Sequence, residues 1–427
     1  MQLWIVQDPS PEAWNRVRRY ASWMCQVCVD ERSDLMEDAY RKFRLSSPPG
    51  GWFPALQELS WRIMEPNLPY IDLFSSPHLK RISIYTPLMW ANFEAPPNIL
   101  AAIASAVSTL PVPPVLRSLS IDIRCIAPPG YFKDSISSAV LRCGPSLTEF
   151  TTTVTLSDAA ANHLIRLPHL RTWRIEGTPP SYSASSLPLV FPPLTNLILG
   201  KGAARGWLSL FQRLEDGISP RQGVTPLSQV KESLKFLDAN DRSGLIINFS
   251  LISPIQIFRN LVSLGVVVFC RDEVGEGQCT FGLNDDNVTE LAVALPQLET
   301  LFLGSPCADN TCATTVACLL PISVHCLKLR ELQIHFNTTN IVDDFKDISK
   351  NPRFQEFHLL PRCTLSHLQV DRMPLILDKP GSEIAVEGIL NIFPHLGKFS
   401  GVEQSWHDLS KRIAKFQRLS TLLAGCW

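Results

Sequence analysis

Hydrophobic and polar positions along the chain fall into one short phrase that returns about a dozen times. The phrase is a leucine, two residues, an apolar residue, one residue and an apolar residue. Leu56-Gln57-Glu58-Leu59-Ser60-Trp61 is one copy, and others open at Leu79, Leu116, Leu147, Leu170, Leu194, Leu261, Leu298 and Leu329. Weaker copies open at Leu234, Leu365 and Leu396. Apolar and polar residues alternate through each copy, as in Trp173 and Ile175 against Thr172, Arg174 and Glu176. Period two predicts a short strand with one side in the core and the other facing out. A phrase that recurs along a chain predicts stacked repeats, and strands joined by crossovers predict a parallel sheet.

Helical patterns lie between the phrases. Trp207, Leu210, Phe211 and Leu214 keep helical spacing ahead of Gly217. Val288, Leu291, Ala292 and Leu295 do the same after Asp285 and Asp286, which read as caps, and Ser157 opens a further helix that Pro168 ends. Ile99–Leu110 reads as a buried helix. Proline stands just before most phrases, where it stops the helix and favours the extended chain. At the N-terminus, Ser10-Pro11-Glu12 predicts a helix start, with Trp14, Val17, Ala21, Met24 and Cys28 on one face. Residues 1–50 are expected to cap or link into the array. Residues 51–402 carry about 12 irregular repeats, and residues 403–427 hold a capping helix over Trp406–Leu423. The Asp216–Gln229 and Gly381–Glu387 stretches read as surface loops. The expected fold is α/β: an irregular repeat solenoid, curved as a horseshoe, with its sheet on the concave side and helices outside.

Successive opening leucines stand 23 to 40 residues apart, whereas leucine-rich repeats run about 20–29 residues. The longer spacings imply inserted loops. The phrase, its irregular spacing and the openings Phe53-Pro54-Ala55-Leu56, Leu167-Pro168-His169-Leu170 and Phe191-Pro192-Pro193-Leu194 resemble the leucine-rich-repeat region of F-box proteins from basidiomycete fungi. Gly144-Pro145-Ser146-Leu147 is a further match, and Ala13–Ser22 looks like the linker helix after the F-box. The resemblance spans nearly the whole chain. It implies protein recognition, as the substrate receptor of an SCF-type, cullin-RING ubiquitin ligase. No F-box-like segment is found in this sequence, so contact with a Skp-type adaptor and cullin is implied only where an F-box precedes it. A ligase-independent scaffold is the alternative.

Composition narrows the function. Of 427 residues, 45% are hydrophobic and 19% charged, which suits a folded chain. The net charge of −1 offers no basic footprint for nucleic acid or an anionic membrane. No secretory signal or spanning segment is read, so a cytoplasmic or nuclear location is expected. The 12 cysteines are expected to be reduced and mostly buried.

Candidate chemistry is sparse. Cys25-Gln26-Val27-Cys28 is a lone pair of thiols, and Cys307, Cys312, Cys318, Cys326 and His325 scatter without metal spacing. Cys28 reads as core on the first helix, and Cys312 and Cys318 fall in a helical pattern. The glycine-rich turn Gly200–Gly206 sits between strand and helix, as a phosphate loop would, but matches neither nucleotide fingerprint. A nucleotide-binding enzyme on that loop is a remote alternative. No catalysis, metal or cofactor is expected. The outer strand face is the candidate site. Strict alternation places Arg62, Arg81, Tyr85, Asp122, Arg174, Glu176, Phe302, Gln333, His335, His367 and Asp371 there. Its mixed charge suits a protein or peptide.

Overall fold

The computed structural model describes residues 10–29, 35–48, 51–63, 65–87, 94–128, 130–175, 191–200, 206–208, 211, 228–241, 247–268, 281–304, 312–350, 360–370, 379–401 and 404–424. The chain divides into two compact units, Met1–Leu194 and Thr195–Trp427.

The first unit carries helices α1 (Pro11–Ala21), α2 (Leu35–Leu45), α3 (Pro97–Ser108), α4 (Lys133–Leu141) and α5 (Asp158–Ile165). Its strands are β1 (Gln26–Val29), β2 (Glu58–Arg62), β3 (Arg81–Tyr85), β4 (Ser118–Asp122), β5 (Glu149–Thr152) and β6 (Thr172–Ile175). All six are parallel, paired in chain order. Helices α3, α4 and α5 pack on one another in sequence.

In the second unit β7 (Asn196–Leu199), β8 (Phe236–Asp241), β10 (Ser263–Val268), β12 (Thr300–Gly304), β13 (Glu331–Ile334), β14 (His367–Val370) and β15 (Lys398–Gly401) pair in that order, again parallel. The short β9 (Ile247–Asn248) and β11 (Phe281–Gly282) form a separate pair. Its helices are α6 (Ser228–Ser233), α7 (Phe249–Ile252), α8 (Asp285–Ala294), α9 (Leu319–His325), α10 (Ile341–Lys350), α11 (Lys379–Ile392) and α12 (Gln404–Ala424).

The opening leucine anchors every repeat. All twelve, from Leu56 to Leu396, are at most 1% exposed, and a strand begins two residues after each. The N–H of Leu56, Leu79, Leu116, Leu147, Leu170, Leu298 and Leu396 donates to the carbonyl three residues earlier. Proline fills the second position of each of those turns (Pro54, Pro77, Pro114, Pro145, Pro168, Pro296, Pro394). Its fixed φ suits that position, and no N–H is lost that the turn would use. The fourth and sixth phrase residues then fill the core, with Trp61, Phe150 and Trp173 its bulkiest members in the first unit.

Aromatic residues pack at the start of the first unit and, separately, at the close of the second. Trp14 of α1 lies 5.2 Å from Trp52 and 5.5 Å from Phe43, and Trp52 donates its indole N–H to the Phe43 carbonyl at 2.7 Å. In the second unit Trp406 of α12 is fully buried beside Phe399 and over Gly401.

Several expectations need correction. The first helix stops at Ala21, and Cys28 stands exposed in strand β1 instead of on a helical face. Gly381–Glu387 is helical, inside α11. The cap of α8 is Asn284, whose side chain and that of Asn287 exchange hydrogen bonds with each other's backbone N–H. Cys312 lies outside any helix, and Cys318 ends a short 3-10 turn. The Asp216–Gln229 stretch lies outside the described residues except its last two, which start α6. The helical spacing at Trp207 is described only at residues 206–208 and 211, where Trp207 and Phe211 are buried.

Candidate functional site: the outward strand face

Most strands of the sheet open with the same departure from simple pairing. One carbonyl accepts two successive N–H groups of the next strand. The Lys80 carbonyl accepts from Arg117 at 2.8 Å and Ser118 at 3.0 Å, and the Arg117 carbonyl from Thr148 and Glu149. Thr148, Lys235, Val262, Glu299 and Arg330 carbonyls do likewise. In regular strand, successive N–H groups point to opposite neighbours. Here two point the same way, as in a bulge, so the second and third phrase residues both turn outward. None of the second-position residues is buried, and Arg117, Arg171, Lys235 and Arg330 are exposed. Strict alternation had left this whole row off the face. Its signal was in the sequence all along: a lysine or arginine is almost never fully buried unpaired.

The face therefore presents the second, third and fifth phrase positions of every repeat. In the first unit the fifth positions of β2 to β5 are Ser60, Ser83, Ser120 and Thr151, side by side in register. Arg174 continues that row on β6, exposed, opposite Thr151. In the third row Arg81 pairs in register with Glu58 and forms an ion pair with it. Past the fifth row, Arg62, Tyr85 and Asp122 line up on neighbouring strands, all half-buried. Arg124 Nε donates to both carboxylate oxygens of Asp122, at 2.9 Å each. The expected residues Arg62, Arg81, Tyr85, Asp122 and Arg174 are thus brought to one face. Glu176 lies outside the described residues.

The second unit's face is less polar. Phe302 is half-exposed between Gly265 on β10 and Gln333 on β13. A methyl at Gly265 would meet Asp238 Oδ1 at 2.9 Å, so glycine keeps the strand beside Phe302 free of side chain. Phe236, which alternation overlooked, is 47% exposed one row away. His367 sits beside Glu331 and bonds Ser400 Oγ at 2.7 Å through Nε2.

His335 is the clear misplacement. It is 1% exposed, because β13 ends at Ile334 and alternation ends with it. Phe336 behind it is buried too, and the segment around Thr314 runs alongside, with Asn337 N–H donating to the Thr314 carbonyl at 2.7 Å. Asp371 lies outside the described residues.

The alternative chemistries find little support in the geometry. Cys25 and Cys28 are both exposed and three residues apart along extended chain. At about 3.3 Å rise per residue, their spacing exceeds what a disulfide spans. Burial pushes the Cys143, Cys326 and Cys363 thiols up to about 12 and raises Cys312 and Cys318 as well. Among the described residues no group of three or more His, Cys, Asp or Glu could hold a metal ion. Of the glycine turn, Gly200 follows β7 and Gly206 is helical, with residues 201–205 outside the described set. Among the described residues no helix is long and apolar enough to cross a membrane. No family model matches this chain, and no curated protein matches it.

Proposed function

We propose that the chain is a protein-recognition module of the leucine-rich-repeat class, curved as a horseshoe, and that the outward strand face is where it holds its partner. One observation carries this reading. Repeat after repeat turns its second, third and fifth phrase residues outward in register with those of its neighbours, while the first, fourth and sixth pack into the core against the helices. A continuous surface of independent polar side chains on a packed scaffold is what recognition of another macromolecule requires. The resemblance to fungal F-box proteins makes substrate capture for a cullin-RING ubiquitin ligase the specific form of that role. In that role the chain selects the substrate, and the ligase's catalytic subunits do the bond chemistry.

Affinity capture from native cells tests it, comparing the natural chain with an Arg117→Glu, Arg174→Glu variant. Both arginines are exposed, so the variant should keep its melting temperature. The reading expects a defined set of proteins to disappear from the variant's eluate. Identical eluates from the two forms would move the binding surface elsewhere. A cullin and its adaptor among the retained proteins would support the ligase role, and consistent absence of both would leave a scaffold.

A further inference from the structure

We propose that the strand face of the first unit takes an extended, acidic segment of the partner protein, lying across the strands. This rests on the protein-recognition reading above and adds the chemistry of what is recognised.

The two units differ in the charge of that face. At the second, third and fifth phrase positions of β2 to β6 the cations are Lys80, Arg81, Arg117, Arg171 and Arg174. The carboxylates there are Glu58 and Glu149 alone, and Glu58 is already engaged by Arg81. At the same positions in the second unit, Lys235, Arg330 and Lys398 are balanced by Asp238, Glu299 and Glu331. The whole chain carries a formal charge of −1, so the excess in the first unit is a local feature set against the trend.

Lys80 and Arg117 make the point most directly. They occupy the same row on adjacent strands, joined by the Arg117 N–H to Lys80 carbonyl bond. Neighbouring strands stand about 4.8 Å apart, and like charges side by side there are unfavourable. Among the described residues neither has a carboxylate at ion-pair distance; Lys80 instead donates to Gln57 Oε1 at 2.9 Å. A partner's carboxylates would relieve that repulsion. Farther along the strands the hydroxyls of Ser60, Ser83, Ser120 and Thr151 form a floor of short side chains, with Glu58, Arg81 and Glu149 on one side and Arg62, Tyr85 and Asp122 on the other. Short hydroxyls leave room for an extended chain and donate hydrogen bonds to its carboxylates.

A polypeptide fits better than nucleic acid. Single-stranded nucleic acid needs aromatic platforms for its bases, and among the described residues this face offers Tyr85 alone.

The test uses the full chain and a fluorescent twelve-residue peptide rich in Asp and Glu, with its Asn/Gln counterpart and a single-stranded oligonucleotide of equal charge. Anisotropy should show the acidic peptide binding at least about ten-fold tighter than the amide form, and weakening as salt rises. Lys80→Gln with Arg117→Gln should weaken it about ten-fold or more while leaving the melting temperature unchanged or higher, because repulsion is removed. Charge-preserving Lys80→Arg should retain binding, and Lys398→Gln in the second unit should have no effect. Equal binding of both peptides, unaltered binding by the double variant, or tighter binding of the oligonucleotide would overturn the proposal. Capture that depends on the strand face but resists competition by the acidic peptide would sink this inference and leave the recognition reading standing. Capture indifferent to Arg117→Glu, Arg174→Glu would sink both.

Discussion

Single side chains in this protein are constrained by what stands over them. Gly388 in α11 faces the ring of buried Phe345, with no room for a methyl between them. Alanine there would gain about 1 kcal/mol of helix propensity but force an overpacked contact costing about 1–3 kcal/mol. Gly388→Ala should therefore lower the melting temperature, and Gly388→Ala with Phe345→Leu should recover part of the loss. Burial also governs the thiols. Cys25 and Cys28 are exposed, whereas Cys143, Cys326 and Cys363 are held as thiols to about 12. Iodoacetamide on the native protein at pH 8 should label the first pair and spare the other three, as read by peptide mass spectrometry. The same shifts link stability to pH. A folded pKa above the unfolded value means the folded chain holds the proton more tightly. That stabilisation is whole below about pH 9 and is lost as pH rises from 9 toward 12. Urea midpoints measured from pH 8 to 11 should fall, and a flat profile would place those thiols in contact with water.

Elements here are set by short local signals, and some were plainer than others. The leucine phrase marked twelve strands because each leucine is buried where a turn delivers the chain to the sheet. Strand β1 escaped notice because Gln26-Val27-Cys28-Val29 has no such phrase, and the helical spacing of α1 ran on through Cys28. Gly381 and Ser382 suggested a loop, yet Ala385, Ile389 and Ile392 bury a helical face that outweighs them. The outward row at the second phrase position stayed hidden for a geometric reason. Alternation assumes one N–H per neighbour, and the doubled bonds at the entry of most strands break that rule. Caps were more legible: Ser10 and Ser157 accept from the N–H groups of Ala13 and Ala160, each at 3.2 Å. Ser157→Ala should cost about 1 kcal/mol in chemical denaturation, with Ser157→Gly costing less.

Across the whole molecule, positive and negative groups nearly cancel, with a pI near 6.8. Proteins associate most readily where net charge vanishes. Light scattering as a function of pH should peak close to 6.8 and fall on either side, and acidic peptide bound to the first unit should move that peak to lower pH. The same near-neutrality makes the surplus of cations on one face stand out, since the molecule as a whole gives an acidic partner no general attraction. Attraction then depends on where the partner lands.

The paired N–H groups at the entry of most strands carry one more consequence. They separate the vocabulary of the surface from the grammar of the core. Each repeat spends three letters on packing and leaves three for display, and a change in one set does not require a change in the other. On the recognition reading proposed above, the displayed positions of the twelve repeats amount to about three dozen characters, few of them fixed as Gly265 is by Asp238, and a new specificity is reached by rewriting letters and not by refolding the page.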